Sequence, residues 1–253
     1  MILLLLGAGG REHALAHRLA QSKRCTQLYI APGNAGTATC GQNVSLQPLD
    51  FEAIGRFCID KQVEMLIVGP EEPLVRGIWD YFQENEALRH IPVIGPSRAG
   101  AMLEGSKAWS KKFMQRHGIP TAAYREFTRA DLEAGLAYLK QHPLPIVLKA
   151  DGLAAGKGVV ICLGHEEAEA EFREMLGGKF GAAGDRVVVE AFLSGIEFSV
   201  FVLTDGRTYK ILPEAKDYKR IGEGDTGLNT GGMGAVSPVP FVDAAMWDKV
   251  ESR

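Results

Sequence analysis

Two lysines and the segment between them carry the most specific chemistry in this chain. In the stretch VLKADGLAAGKGVVIC, an apolar run at Ile146–Leu148 delivers Lys149 into a Gly- and Ala-rich loop. That loop opens with Asp151 and Gly152, holds Lys157 between Gly156 and Gly158, and leaves through a second apolar run at Val159–Ile161. A loop with so few side chains lets backbone N–H groups approach an anion closely, and flanking cations suit a nucleotide triphosphate. It is not the common P-loop, because no G-x-x-x-x-G-K-[ST] precedes a helix. The competing reading is a tight β-turn whose lysines are merely solvated.

A second anion site is expected near the amino terminus. Gly7-Ala8-Gly9-Gly10-Arg11 follows an apolar run, Ile2–Leu6, and opens a helix-like stretch. A dinucleotide fingerprint would need glycine where Glu12 stands. It would also need an acidic residue ending the second strand, which runs instead into Ala31-Pro32. NAD is therefore not expected. What remains is a glycine turn whose helix amides favour an anion, with Arg11 beside them, so a small phosphorylated substrate fits Gly9, Gly10 and Arg11 better. The alternative is a glycine turn needed only for strand–helix packing. Two more punctuated loops follow strands, one with Gly33 and Asn34 and one with Glu71. Three such loops on the carboxyl edge of a parallel sheet mark a ligand crevice. His13 and His17 lie four apart but lack a third ligand nearby, so no metal role is expected for them. No Ser-His-Asp or Cys-His arrangement is legible.

Two constellations lie further on. In VVVEAFLSGIE, Glu190 and Glu197 flank a short connector that includes Leu193. A carboxylate at a connector end can accept ribose hydroxyls while connector backbone reads an adenine edge; ordinary surface carboxylates are the alternative. Asp217-Tyr218-Lys219-Arg220 and the run DTGLNTGGMG, with Asn229, Thr230, Gly231 and Gly232, read as one long polar loop. A loop of that length in a compact domain is usually functional or disordered.

The elements that must position these groups alternate. Apolar runs at Ile2–Leu6, Leu28–Ile30, Met65–Val68 and Pro92–Ile94 are separated by helical stretches at Glu12–Gln21, Phe51–Lys61 and Pro73–Asn85, which predicts βαβ units and a parallel sheet. Ser106 is a plausible N-cap for a basic amphipathic helix, Ala108–His117, which Gly118-Ile119-Pro120 ends as a hinge. An α+β module follows, with strands near Tyr124–Phe127, Ile146–Lys149, Val159–Ile161 and Arg186–Glu190 and helices at Ala130–Lys140 and Glu166–Leu176. Strands Ile196–Leu203 and Thr208–Leu212 are expected to pair antiparallel about Asp205-Gly206.

Composition bounds the class. The 253 residues are 46% hydrophobic and 23% charged, enough for large cores. With a net charge of -3 and no basic tract, no nucleic-acid partner is expected. Cys25, Cys40, Cys58 and Cys162 show no paired spacing, which suits reduced thiols and a cytoplasmic setting. The opening MILLLL lacks a basic flank and is too short to span a bilayer, so it reads as a buried strand and no membrane partner is expected.

Together, GAGGREHA, APGNAG, VGPEEPLV, LEGSK, VLKADGLAAGKGVV and DTGLNTGGMG, in order from residue 7 to 234, resemble the glycinamide ribonucleotide synthetase (phosphoribosylamine–glycine ligase) family of the ATP-grasp superfamily. The resemblance implies an α/β architecture. A parallel, Rossmann-like pre-ATP-grasp domain spans 1–103, a connecting helix and hinge 104–120, an α+β ATP-grasp lid 121–190, and an incomplete second subdomain 191–253. It implies joining glycine to 5-phosphoribosylamine in purine synthesis, with ATP cleaved to ADP and phosphate through a glycyl phosphate, and a monomer. Other ATP-grasp ligases or carboxylases, or a non-catalytic nucleotide-binding protein, are the alternatives.

By the same resemblance Lys107, Lys149, Asp151, Gly152, Gly156, Lys157, Gly158, Glu190, Leu193 and Glu197 contact ATP. Gly9, Gly10, Arg11, Gly33, Asn34, Glu71, Asn229, Thr230, Gly231 and Gly232 contact substrate, and Lys149, Asp217 and Asn229 act in catalysis. Tyr218 and Leu228 depart from the family's usual histidine and proline, which puts the local substrate geometry in question. The family's Mg2+ or Mn2+ ligands are expected beyond Arg253, so the chain is expected to be an amino-terminal fragment, inactive alone.

Overall fold

The computed structural model describes residues 1–153, 158–224 and 226–252. The chain divides into two compact units, Met1–Ser110 and Lys111–Arg253. Strands of the first unit are β1 (Ile2–Gly7), β2 (Gln27–Pro32), β3 (Gln42–Asn43), β4 (Met65–Val68) and β5 (Val93–Ile94). All pair in parallel, in the order β3-β2-β1-β4-β5. The helices between them are α1 (Gly10–Ala20), α2 (Phe51–Asp60), α3 (Glu71–Arg76), α4 (Ile78–Glu84) and α5 (Arg98–Gly105).

The leucine run explains the sheet. Leu4 and Leu6 pack into one apolar cluster with Ile54, Phe82 and Leu66, while Leu3 and Leu5 point into another with Ala16, Leu28 and Ile30. A central parallel strand buried on both faces reads as continuous hydrophobicity, as this one does. The short strand β3 carries little apolar signal and is not visible in the sequence pattern.

The single helix expected at Pro73–Asn85 is two. Gly77 sits at φ 96°, a left-handed conformation, and closes α3 by donating its N–H to Leu74. Helix α4 starts from the same residue. Glycine adopts that conformation without a Cβ clash, so the break is inexpensive there.

Helix α6 (Lys107–Arg116) contains the boundary between the units. The second unit holds β6 (Tyr124–Thr128), α7 (Leu132–Gln141), β7 (Ile146–Ala150), β8 (Val159–Cys162), α8 (His165–Glu174) and β9 (Arg186–Ala191). Its four-stranded sheet is antiparallel throughout, in the order β6-β9-β7-β8. Both helices contribute to one core, in which Leu136, Leu139 and Phe172 meet Ile146, Leu148, Val187 and Val189.

The remaining strands are β10 (Ser199–Thr204), β11 (Tyr209–Gly222) and β12 (Thr226–Val236), and α9 (Ala244–Ser252) follows them. Strands β10 and β11 pair antiparallel around Asp205-Gly206, as expected, with Asp205 Oδ1 accepting from the N–H groups of Arg207 and Thr208. The expected polar loop at 217–234 is instead an antiparallel hairpin of β11 and β12. Register shifts hide it. Tyr218 pairs with Gly234 but Arg220 pairs with Asn229, so Lys219 faces the whole segment 230–233. Gly227 and Gly232 have φ of 81° and 127°, and a bulged strand needs such residues where its backbone turns out of the ladder.

Candidate functional site

In the first unit the three loops after β1, β2 and β4 are laced together at the carboxyl edge of the sheet. Register places Gly7 beside Pro32 and Leu6 beside Val68. Gly33 donates its N–H to Gly7 O at 3.1 Å, and Asn34 Nδ2 donates to Ala8 O at 2.8 Å. The Asn34 loop is braced from within: its Oδ1 accepts from Thr37 N–H, and its carbonyl accepts from Asn43 Nδ2. Arg11 Nη1 donates to Gly69 O at 3.0 Å, tying α1 to the loop after β4. Glu71 is exposed at the first position of α3.

Glu12 explains why this turn departs from a dinucleotide fingerprint. It is buried, and its Oε2 accepts the N–H of Gly9, the N-cap of α1, at 2.7 Å. A Cβ on Gly7 or Gly69 would come within 2.4 Å or 2.3 Å of the Glu12 side chain. The carboxylate thus fills the space that the third glycine of a fingerprint keeps open. It also satisfies one helix-terminal amide within the chain. At Lys107, the first residue of α6, Ser106 acts as the expected cap, since its Oγ accepts from Trp109 N–H at 3.1 Å.

In the second unit, β7 and β9 bring Lys149 and Glu190 together. Glu190 lies opposite Val147 in the antiparallel ladder, so Lys149, two residues along, is its diagonal neighbour on the same face. Lys149 Nζ stands 2.9 Å from Glu190 Oε2. Glu190 is no surface carboxylate: its side chain is 5% exposed, against 27% for Lys149.

Lys111 completes the group from α6, with Nζ 3.2 Å from Glu190 Oε1. The same ammonium donates to Thr121 Oγ1 at 2.7 Å and Ala122 O at 3.1 Å, and lies 5.5 Å from the centre of the Tyr124 ring. Burial pushes Lys111 below the ordinary lysine range; Glu190 opposes that shift and the like charge of Lys149 adds to it. Lys111 was not singled out in the sequence, where it reads as one charge on a basic helix. The signal was its spacing of four from Lys107, which puts both lysines on one helix face.

The start of the glycine-rich connection is anchored by backbone. Asp151 N–H donates to Arg186 O at 3.0 Å, Gly152 N–H to Ala183 O at 3.4 Å, and Ala150 N–H to Gly158 O at 2.8 Å. Gly156 and Lys157 lie outside the described residues. Beyond β9, Leu193 is exposed.

Glu197 and Asp217 meet at a second lysine that sequence reading did not assign, Lys219. Its Nζ is 3.1 Å from Glu197 Oε1 and 3.3 Å from Asp217 Oδ2. The hydrogen bond to Glu197 raises Lys219 above its ordinary value against the opposing effect of burial. Thr230 Oγ1 donates to Lys219 O at 2.8 Å and accepts from Gly232 N–H at 3.1 Å, fixing the backbone of the bulge. Asn229 pairs with Arg220 in the ladder and Gly231 lies within the bulge. At Tyr218, where the family resemblance would place histidine, the ring takes the Lys216 ammonium at 4.4 Å from its centre.

Among the described residues no three His, Cys, Asp or Glu side chains converge to hold a metal ion. Burial pushes the thiols of Cys58 and Cys162 up to about 12 and about 11, which leaves neither as a thiolate near neutrality. No helix among the described residues is long and apolar enough to cross a membrane.

Comparison with known proteins gives this geometry its family. Residues 1–104 match the model of the phosphoribosylglycinamide synthetase N domain, and residues 105–253 match that of the phosphoribosylglycinamide synthetase ATP-grasp (A) domain. Phosphoribosylamine–glycine ligase of Pseudomonas aeruginosa is 51% identical over 254 residues, covering 99% of this chain and 57% of the relative. The enzyme of that name from Haemophilus influenzae is 49% identical over 253 residues, covering 99% and 58%. The chain therefore spans less than two thirds of the length of these curated relatives.

Among solved structures, phosphoribosylamine–glycine ligase of Thermotoga maritima superposes with a TM-score of 0.80 at 34% identity, covering 100% of this chain and 59% of that one. D-alanine–D-alanine ligase of Bacillus anthracis, at 15% identity and a TM-score of 0.65 over 100% of this chain and 76% of that one, shares the fold alone. The two domain models together account for the whole sequence, and the chain belongs to the phosphoribosylglycinamide synthetase family, with the α/β ATP-grasp fold.

Proposed function

We propose that this chain supplies the ATP-binding and sugar-phosphate-binding surfaces of a phosphoribosylamine–glycine ligase. The observation that carries the reading is the buried Glu190, held between Lys111 and Lys149 where β7 enters the glycine-rich connection. A partly exposed lysine there can neutralise phosphate oxygens, and a fixed carboxylate beside it can accept a hydrogen bond from a base or ribose. Lys107, Asp151, Gly152, Gly158, Leu193 and Glu197, with Gly156 and Lys157, complete the ATP surface in this reading.

The chemistry needs little covalent work from side chains. A glycine carboxylate oxygen attacks the γ-phosphorus of ATP, the bond to the β,γ-bridging oxygen breaks, and ADP leaves. The amine of 5-phosphoribosylamine then attacks the carbonyl carbon of the glycyl phosphate, loses a proton, and expels inorganic phosphate. Catalysis is positioning and charge neutralisation, the part that Lys149 serves, and Asp217 and Asn229 are assigned to the same chemistry in this reading. The laced loops holding Gly9, Gly10, Arg11, Gly33, Asn34 and Glu71 take the sugar phosphate, and Thr230, Gly231 and Gly232 are assigned to substrate in the same reading.

Isotope transfer tests the route. With glycine labelled in its carboxylate by oxygen-18, the protein carrying this segment should release phosphate bearing one labelled oxygen. Unlabelled phosphate formed at the rate of ligation would rule out the glycyl phosphate.

A further inference from the structure

We propose that Lys111 is a positioning residue: it serves as the fixed counter-ion of Glu190, so that Lys149 can exchange that carboxylate for a phosphate group of the incoming nucleotide. The inference rests on the ATP-binding reading above and adds a division of labour between two lysines. Both contact one carboxylate, on different oxygens, yet their surroundings are unlike. Lys111 is 7% exposed and held by Thr121 Oγ1, Ala122 O and the face of Tyr124. Lys149 is 27% exposed and stands at the end of β7, where the glycine-rich connection begins.

Charge arithmetic decides which lysine leaves. A carboxylate buried to this degree is costly to leave without a counter-ion, so a lone lysine partner would be trapped by it. With Lys111 in place, Lys149 departs and Glu190 stays paired. The two ammoniums also repel across the carboxylate, and the one with solvent access is the one able to move. Glu190 Oε1 is buried with the Lys111 ammonium 3.2 Å away, and that ammonium is itself tied down by its bonds to Thr121 and Ala122. Tethered in this way, Lys111 is suited to be a permanent counter-ion.

The test is calorimetric titration of ATP and, separately, of adenosine, which has no phosphate for Lys149 to take. The ratio of the two affinities isolates the exchange. Lys111→Met should weaken ATP by roughly tenfold or more, since Lys149 must then strand Glu190 to reach phosphate, while adenosine changes far less. Adding Glu190→Gln to that variant removes the trap and should restore the ratio. A Lys111→Met protein that weakens both ligands equally, or a double variant whose ratio stays low, would overturn the proposal and leave ATP binding intact. Should Lys111→Met fail to fold, Glu190→Gln alone must raise the ratio, and an unchanged ratio there is equally fatal. Wild-type protein that binds no ATP would sink both this inference and the proposed function.

Discussion

At the scale of single residues, Glu190 shows how burial turns an ordinary carboxylate into a junction. Removing it leaves Lys111 enclosed without a counter-ion, and breaking a buried pair in this way costs about 3–5 kcal/mol. Glu190→Ala should therefore lower the unfolding free energy by about that amount in urea titrations; a loss under about 1 kcal/mol, the level of a surface pair, would show that the pair is effectively solvated. Glu126 makes a different prediction. Burial alone would raise it, but Lys112 at 2.5 Å and Arg186 outweigh that and hold its carboxyl below the usual range. A depressed carboxylate stabilises the fold above its unfolded pKa, near 4.3 as a rough reference, and that stabilisation is lost as pH falls through the folded value. The stability difference between wild type and Glu126→Gln should be present at neutral pH and vanish on acidification, and a difference independent of pH would refute it. Lys149 was legible because a glycine-rich loop is a rare local pattern, whereas Glu190 was singled out by the family resemblance, since a strand-end carboxylate alone reads equally as a surface residue. Lys111 and Lys219 were not, since a lysine on a helix or hairpin gives no sign in sequence of which carboxylate it will meet across the fold.

Elements were legible where periodicity was strong and failed where glycine set the backbone. Strand β1, with Leu4, Leu5 and Leu6 inaccessible, could be read from its leucines alone. Gly77 broke an apparently continuous helix, and the bulged hairpin of β11 and β12 passed for a loop because its glycines suppress strand propensity. Gly77→Ala puts a Cβ on a left-handed residue, for a loss of about 1–2 kcal/mol. An unchanged urea midpoint would mean that α3 and α4 can merge into one helix.

For the whole molecule, the two units share no sheet: β1 to β5 lie within the first and β6 to β12 within the second. Residues 1–104 alone should accordingly unfold cooperatively in urea, since their strands and the clusters around Leu4 and Leu5 are contiguous in sequence. A non-cooperative, gradual loss of signal would contradict that. The proposed function gives the units different ligands, sugar phosphate at the loops around Arg11 and ATP at the sheet around Lys149. The most direct measurement is a pair of calorimetric titrations, ATP and ribose 5-phosphate, into wild type, Lys149→Ala and Arg11→Ala. Lys149→Ala should weaken ATP by roughly tenfold or more and leave ribose 5-phosphate unchanged, while Arg11→Ala should do the reverse. ATP binding indifferent to Lys149→Ala would contradict the assignment of the buried Glu190 cluster as the nucleotide site.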